Sequence, residues 1–248
     1  MPVPPVPVQV LQRAQQVWHA QQLPPYVQFT SRVQDRDDPV LVIIRTSDGA
    51  AYTRTLPQNP DGRVYVAPGV RLTGPYGAPL GFCVSMVHCS GVLQADPFSL
   101  PPAQPEDQKV IASVHAYADA YAVSFGPSTR FHGRHVYDLV LQPRYDPRRY
   151  EIRDMLIDAS DYRMWQITYE VPSGQSAVTI RYDFGPVPDS DNVWYLQFIC
   201  VYSPQRANRS PGGCTLASTS LWNFALPASV PDWYFDPQQY KEHEESTQ

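Results

Sequence analysis

Long hydrophobic runs are missing from this chain of 248 residues. The longest apolar stretch, residues 40–44, falls far short of the roughly 20 residues that a membrane-spanning helix needs. A helical integral membrane protein is therefore excluded. Positive charge is scarce: 19 Lys and Arg against 24 Asp and Glu give a net charge of −5. Nucleic-acid binders cluster basic residues on one face, so no nucleic-acid partner is expected. Cysteine is limited to 4 residues, and none has the C-x2-C spacing of a zinc site. No G-x-S-x-G elbow is present, and the glycines at 69, 74, 77 and 81 lack the Gly-Lys-Ser/Thr of a phosphate loop. An export signal is lacking too, since Met1-Pro2-Val3-Pro4-Pro5 has neither a basic head nor an apolar run. Two readings follow from that start: an intracellular protein, or an exported one whose signal peptide has been removed.

Proline and aromatic residues are abundant instead. The 27 prolines, about twice the usual share, forbid long uninterrupted elements and point to many short ones joined by stiff turns. One helix is legible over residues 8–23. Val10, Leu11, Ala14, Val17 and Trp18 make one apolar stripe, with Gln9, Gln12, Arg13, Gln16 and Gln21 on the polar side. Pro24-Pro25 should stop it. Beyond them the period becomes two. Val27, Phe29, Ser31 and Val33 alternate with polar neighbours, and residues 40–46 and 51–56 flank a Ser47-Asp48-Gly49 turn as a hairpin. Residues 57–106 are the least regular part, rich in proline and glycine, with a short strand near 63–66 and a stiff linker at 100–105.

The second half alternates more clearly. His135, Tyr137, Leu139 and Leu141 share a face, as do Trp165, Ile167, Tyr169 and Val171, and again Val178, Ile180, Tyr182 and Phe184. Further strands are expected at 121–125, 150–158, 192–203 and 215–224, in meander order. The predicted class is mainly β: a curved antiparallel sheet or incomplete β-barrel, covered by an N-terminal amphipathic helix and irregular segments. Residues 1–7 are expected as a proline-rich arm, 8–238 as a single domain and 239–248 as a disordered tail.

An even cysteine count in two local pairs, Cys83 with Cys89 and Cys200 with Cys214, fits an oxidising compartment. Four buried free thiols are the alternative. If strands 192–203 and 215–224 form a hairpin, Cys200 faces Cys214 near disulfide distance, and that bridge is predicted. His132-Gly133-Arg134-His135 with Asp138 is the densest group of metal-ligand types. On one strand the two histidines would point to opposite faces, so a turn explains them better than a metal. No metal, cofactor or catalytic residue is expected. Strand 192–203 is apolar on both faces and needs two apolar layers. Either the core is filled, or a concave face takes an apolar guest. Strand and helix parity give the cavity candidates Trp18, Phe29, Trp165, Ile167, Val178, Ile180, Trp194 and Phe198.

Three adjacent segments also carry a resemblance: Tyr137-Asp138-Leu139-Val140-Leu141-Gln142-Pro143, then 150–158 ending in Ile157-Asp158, then Trp165-Gln166-Ile167-Thr168-Tyr169. This succession resembles the LolA/LolB-like outer-membrane lipoprotein-sorting superfamily, in which a strand ending L-x-P precedes one ending V/I-D. Val178 to Phe184 and Val193-Trp194-Tyr195-Leu196 are similar to the next pair. The resemblance implies a half-barrel and a non-enzymatic periplasmic or extracellular carrier for an acyl chain or a lipidated partner. An envelope protein-interaction or sensor module with a filled core is the alternative, and an extracellular hydrolase using His132, His135 and Asp158 a third. Oligomeric state is not set by any of these features.

Overall fold

The computed structural model describes residues 5–22, 24–33, 39–47, 51–55, 63–65, 98, 117–147, 150–173, 176–190, 193–202, 214, 217–236, 238–240 and 242–243. Cys83, Cys89, the linker 100–105, nearly all of the irregular stretch 57–106 and most of 239–248 lie outside the described residues. The fold is mostly β, an antiparallel sheet that is not closed into a barrel, with one N-terminal helix. It divides into two compact units.

The first unit holds the helix α1 (Pro7–Ala20) and the strands β5 (Tyr121–Phe125), β6 (Arg130–Phe131), β7 (Arg134–Pro143), β8 (Ile152–Asp158), β9 (Met164–Ser173) and most of β10 (Ser176–Pro186). Pro7 occupies the first helical position, where its missing N–H costs nothing. The Val6 N–H donates to Gln9 Oε1 at 3.4 Å. Val10, Leu11, Ala14 and Trp18 are buried, four of the five residues in the expected stripe. The helix ends at Ala20, three residues early, because Gln21 is already extended and its N–H bonds to the Trp18 carbonyl at 3.3 Å.

Strand order in this unit is β10-β9-β8-β7-β5, with β6 paired to β7. Register lines up the row Leu139, Met155, Ile167 and Tyr182 across four strands. All four are at most 1% exposed, so the row is close-packed core. The helix lies against β5 and β7, and its Trp18 meets Phe184 edge-on, with ring centroids 5.5 Å apart. His132 is not on a strand at all. With Gly133 it forms the two-residue turn between β6 and β7, φ being +48° and +79°. That geometry suits glycine and a short polar residue, and it removes the histidine from any alternation.

Past β5, the Gly126 N–H donates to the Asp138 carbonyl at 2.8 Å and the Ser128 N–H to Asp138 Oδ2 at 3.0 Å. A Cβ at Gly126 would stand 2.5 Å from Asp138 Cγ. Gly126→Ala should therefore displace the buried Asp138 carboxylate and break its bond to Ser128. The expected loss is about 1–3 kcal/mol in urea unfolding; an unchanged midpoint would refute this packing.

The second unit contains β1 (Tyr26–Val33), β2 (Val40–Arg45), β3 (Ala51–Thr55), β4 (Arg63–Tyr65) and β12 (Ala217–Ala225), ordered β4-β3-β2-β1-β12. The strand β11 (Trp194–Tyr202) gives its residues to Phe198 to this unit and the rest to the first. Pairing of β1 with β12 joins the two ends of the chain. A bulge interrupts it between Gln28 and Thr30, and Asn223 on β12 takes a left-handed backbone. Ile43, Tyr52, Phe235 and Tyr240 form a core cluster that brings the segment after β12 back onto β2 and β3.

Candidate functional site

The predicted cavity residues divide between the units. Trp18, Trp165, Ile167, Val178 and Ile180 belong to the first; Phe29, Trp194 and Phe198 belong to the second. Phe29 is buried and packs on Tyr195 and Phe224, with centroids 6.0 and 5.8 Å away. Trp194 is buried and Phe198 half-buried. Trp18 is sealed between Phe98 and Phe184. Ile167 lies in the close-packed row.

Exposure then rises along the same face toward the β9–β10 turn. Tyr169 pairs with Ile152 and Ile180, and Val171 pairs with Val178. Ile152 and Tyr169 are buried, whereas Ile180, Val171 and Val178 are only half-buried. Sequence parity had picked out Val178 and Ile180. Val171, on the strand paired to them, completes the partly open aliphatic patch.

Trp165 is placed by a bulge. The pairing of β8 with β9 runs Leu156 with Gln166 and then Ile157 with Met164, which leaves Trp165 as the extra residue. Its indole N–H donates to Asp158 Oδ2 at 3.0 Å. Phe131 and His132 flank its ring at 6.0 and 6.3 Å, and the Arg134 guanidinium stands 5.5 Å from the ring centroid. Alternation cannot reveal a bulge, so this environment had no signal in the sequence.

Asp158 is the hub. Its side chain is 4% exposed. Oδ1 accepts from the Ser160 N–H at 2.8 Å and the Ser160 hydroxyl at 2.5 Å, while Oδ2 takes the indole and lies 3.6 Å from Arg134. Burial alone would raise its pKa. The Ser160 and Trp165 hydrogen bonds and the Arg134 charge outweigh that and hold the carboxyl below its ordinary range. A carboxylate so fully occupied anchors structure and is poorly suited to moving protons. His135 Nε2 meets Arg130 at 3.3 Å, and the His132 ring packs on Phe131 at 4.2 Å. His132 and Asp158 thus meet only through the Trp165 ring, and His135 pairs with Arg130.

What Asp158 anchors is the turn to β9. The Asp158 carbonyl accepts from the Tyr162 N–H at 3.1 Å, and the Asp158 N–H donates to the Arg163 carbonyl at 2.8 Å. Tyr162 adopts φ +63°. A bulky residue in the left-handed region costs about 1–3 kcal/mol, where glycine would cost nothing. Its ring lies 6.2 Å from that of Tyr137, with planes 27° apart.

On β8 and β10, and just before β8 at Glu151, burial raises the pKa values of Asp183, Asp154 and Glu151. The charge of Asp138 adds to the rise at Asp154; Arg181 and Gln166 oppose it at Asp183.

No family model matches the sequence, and no curated protein matches it. Solved structures do. A LolA superfamily protein from Nitrosomonas europaea matches over 95% of this chain and 99% of its own, at 11% identity and a TM-score of 0.36. A DUF1329 family protein from Desulfovibrio piger matches over 93% and 96%, at 14% identity and a TM-score of 0.40. A domain named as a candidate outer membrane lipoprotein-sorting protein from Vibrio parahaemolyticus gives 93% and 96%, at 12% identity and a TM-score of 0.40. Among the described residues no helix is long and apolar enough to cross a membrane.

Proposed function

We propose that this chain is a non-enzymatic binding protein that takes an acyl chain or a lipidated partner at the aliphatic patch Val171, Val178 and Ile180. The observation carrying this reading is the continuation of a fully buried apolar face into half-buried aliphatic residues at the β9–β10 end. Each methylene buried there contributes about 0.8 kcal/mol, so a few suffice for reversible binding. The Cys200–Cys214 disulfide supports an oxidising location such as the periplasm or the extracellular space.

Displacement of a fluorescent fatty acid, together with native mass spectrometry of protein purified without detergent, tests it. Wild type should bind the probe, and Ile180→Lys should weaken binding at least tenfold, or about 1.4 kcal/mol. Equal binding by the variant would refute the patch. A second reading, a protein-interaction or sensor module with a filled core, is favoured by the packed row from Leu139 to Tyr182. Wild type that retains no lipid and binds no probe would decide for it.

A further inference from the structure

We infer that the first unit also carries an oligosaccharide-binding cleft between the polar flank of α1 and the turn 158–163, with Tyr162 as its stacking platform. Pro5, Gln9, Gln12, Arg13, Gln16 and Tyr162 line a solvent-open cleft of about 320 Å³, at the lower end of the range for ligand sites. Gln9, Gln12, Arg13 and Gln16 are spaced i, i+3, i+4, i+7, which sets three carboxamides in one stripe about 10 Å long.

The chemistry of that stripe selects a ligand. A carboxamide both donates and accepts, as a sugar hydroxyl does, and three in a row can follow a chain of hydroxyls. Among the described residues Arg13 is the one charged residue of the lining, and its guanidinium already donates to Gln16 Oε1 at 3.3 Å. A phosphate ligand would call for more cations, and an acyl chain for fewer amides.

The Tyr162 ring supplies the aromatic face of the lining. From Tyr162 the rings continue to Tyr137 and then to Phe125, which lies 5.9 Å from Tyr137 with planes 30° apart. Phe125, at the far end of this row, is 45% exposed. Pyranose rings present apolar C–H faces to such rings while their hydroxyls reach sideways to amides. The left-handed backbone of Tyr162, held by the Asp158 turn, fixes where that ring stands beside the helix. This cleft does not depend on the lipid reading, and the two can fail separately.

The test is isothermal titration of the full chain with hexamers of β-1,4-glucose, α-1,4-glucose and N-acetylglucosamine, and with a proline-rich hexapeptide as the competing class. At least one sugar should bind. Tyr162→Gly, which removes the ring and suits the backbone, should weaken that binding at least tenfold with an unchanged circular dichroism spectrum. Gln12→Ala, on an exposed helix flank, should weaken it several-fold and serves if the tyrosine variant misfolds. Absence of binding by every hexamer, binding of the peptide in their place, or wild-type affinity in both folded variants would overturn the proposal.

Discussion

Asp158→Ala should lower stability by about 2–4 kcal/mol, read as a shift of the urea midpoint at neutral pH. The loss comes mainly from three donors on two residues. The Trp165 indole N–H is buried beneath Phe131 and His132 and would lose its acceptor, and both Ser160 donors that shape the turn would lose theirs. Arg134 adds little, because its side chain is 58% exposed and 3.6 Å away, so solvent screens the pair.

Asp158→Asn separates charge from shape. It keeps one oxygen for Ser160 but turns an amide donor toward the indole N–H, so an intermediate loss is expected. It also changes the pH profile. The Asp158 pKa is depressed, so its stabilisation is complete above the ordinary carboxyl value of about 4 and disappears as pH falls through the lower, folded value. Asp183, Asp154 and Glu151 behave oppositely. Burial raises their pKa values, so the folded state takes up their protons first and gains stability as pH drops from neutrality toward about 4. Wild type should hold or gain stability from pH 7 to 5 and lose it toward pH 3. Asp158→Asn should show a shallower final fall. Parallel wild-type and variant curves between pH 5 and 3 would refute the assignment.

Much of the framework was legible in residue order because it depends on local periodicity. The stripe Val10, Leu11, Ala14 and Trp18 is the buried face of α1, and the alternation through Leu139, Ile167 and Tyr182 is the buried face of β7, β9 and β10. Periodicity states parity within a strand and says nothing of partners. The pairing of β1 with β12 joins residues such as Thr30 and Trp222, and no local pattern encodes it. Bulges defeat parity outright. Alternation places Trp165 with Ile167, yet one extra residue turns its indole to Asp158. Tyr162 was hidden for a different reason: backbone preference assigns glycine or asparagine to a left-handed position, and an aromatic residue holds it only because the Asp158 turn fixes the chain there. The C-terminal cluster of Phe235 and Tyr240 on Ile43 and Tyr52 was likewise beyond any local signal.

Replacing Cys200 and Cys214 together by alanine should cost about 3 kcal/mol, the loop-closure value for a ring of roughly 15 residues. The bridge joins residues 14 apart with Cα atoms 5.2 Å apart. Cys200 is buried in β11, so its freed thiol or replacement methyl remains in apolar surroundings and adds no polar penalty. The cost then falls mainly on the unfolded chain, which regains the freedom the cross-link removed. For a protein of this size that corresponds to a melting temperature lower by about 6–12 °C. The paired alanine variant tests this one ring directly, without a reductant in the buffer. Its melting curve should keep a single slope through the unfolding of the first unit, shifted as a whole. A midpoint within a degree or two of wild type would mean that closing this ring contributes nothing to the native state, and the disulfide could no longer support an oxidising location on grounds of stability.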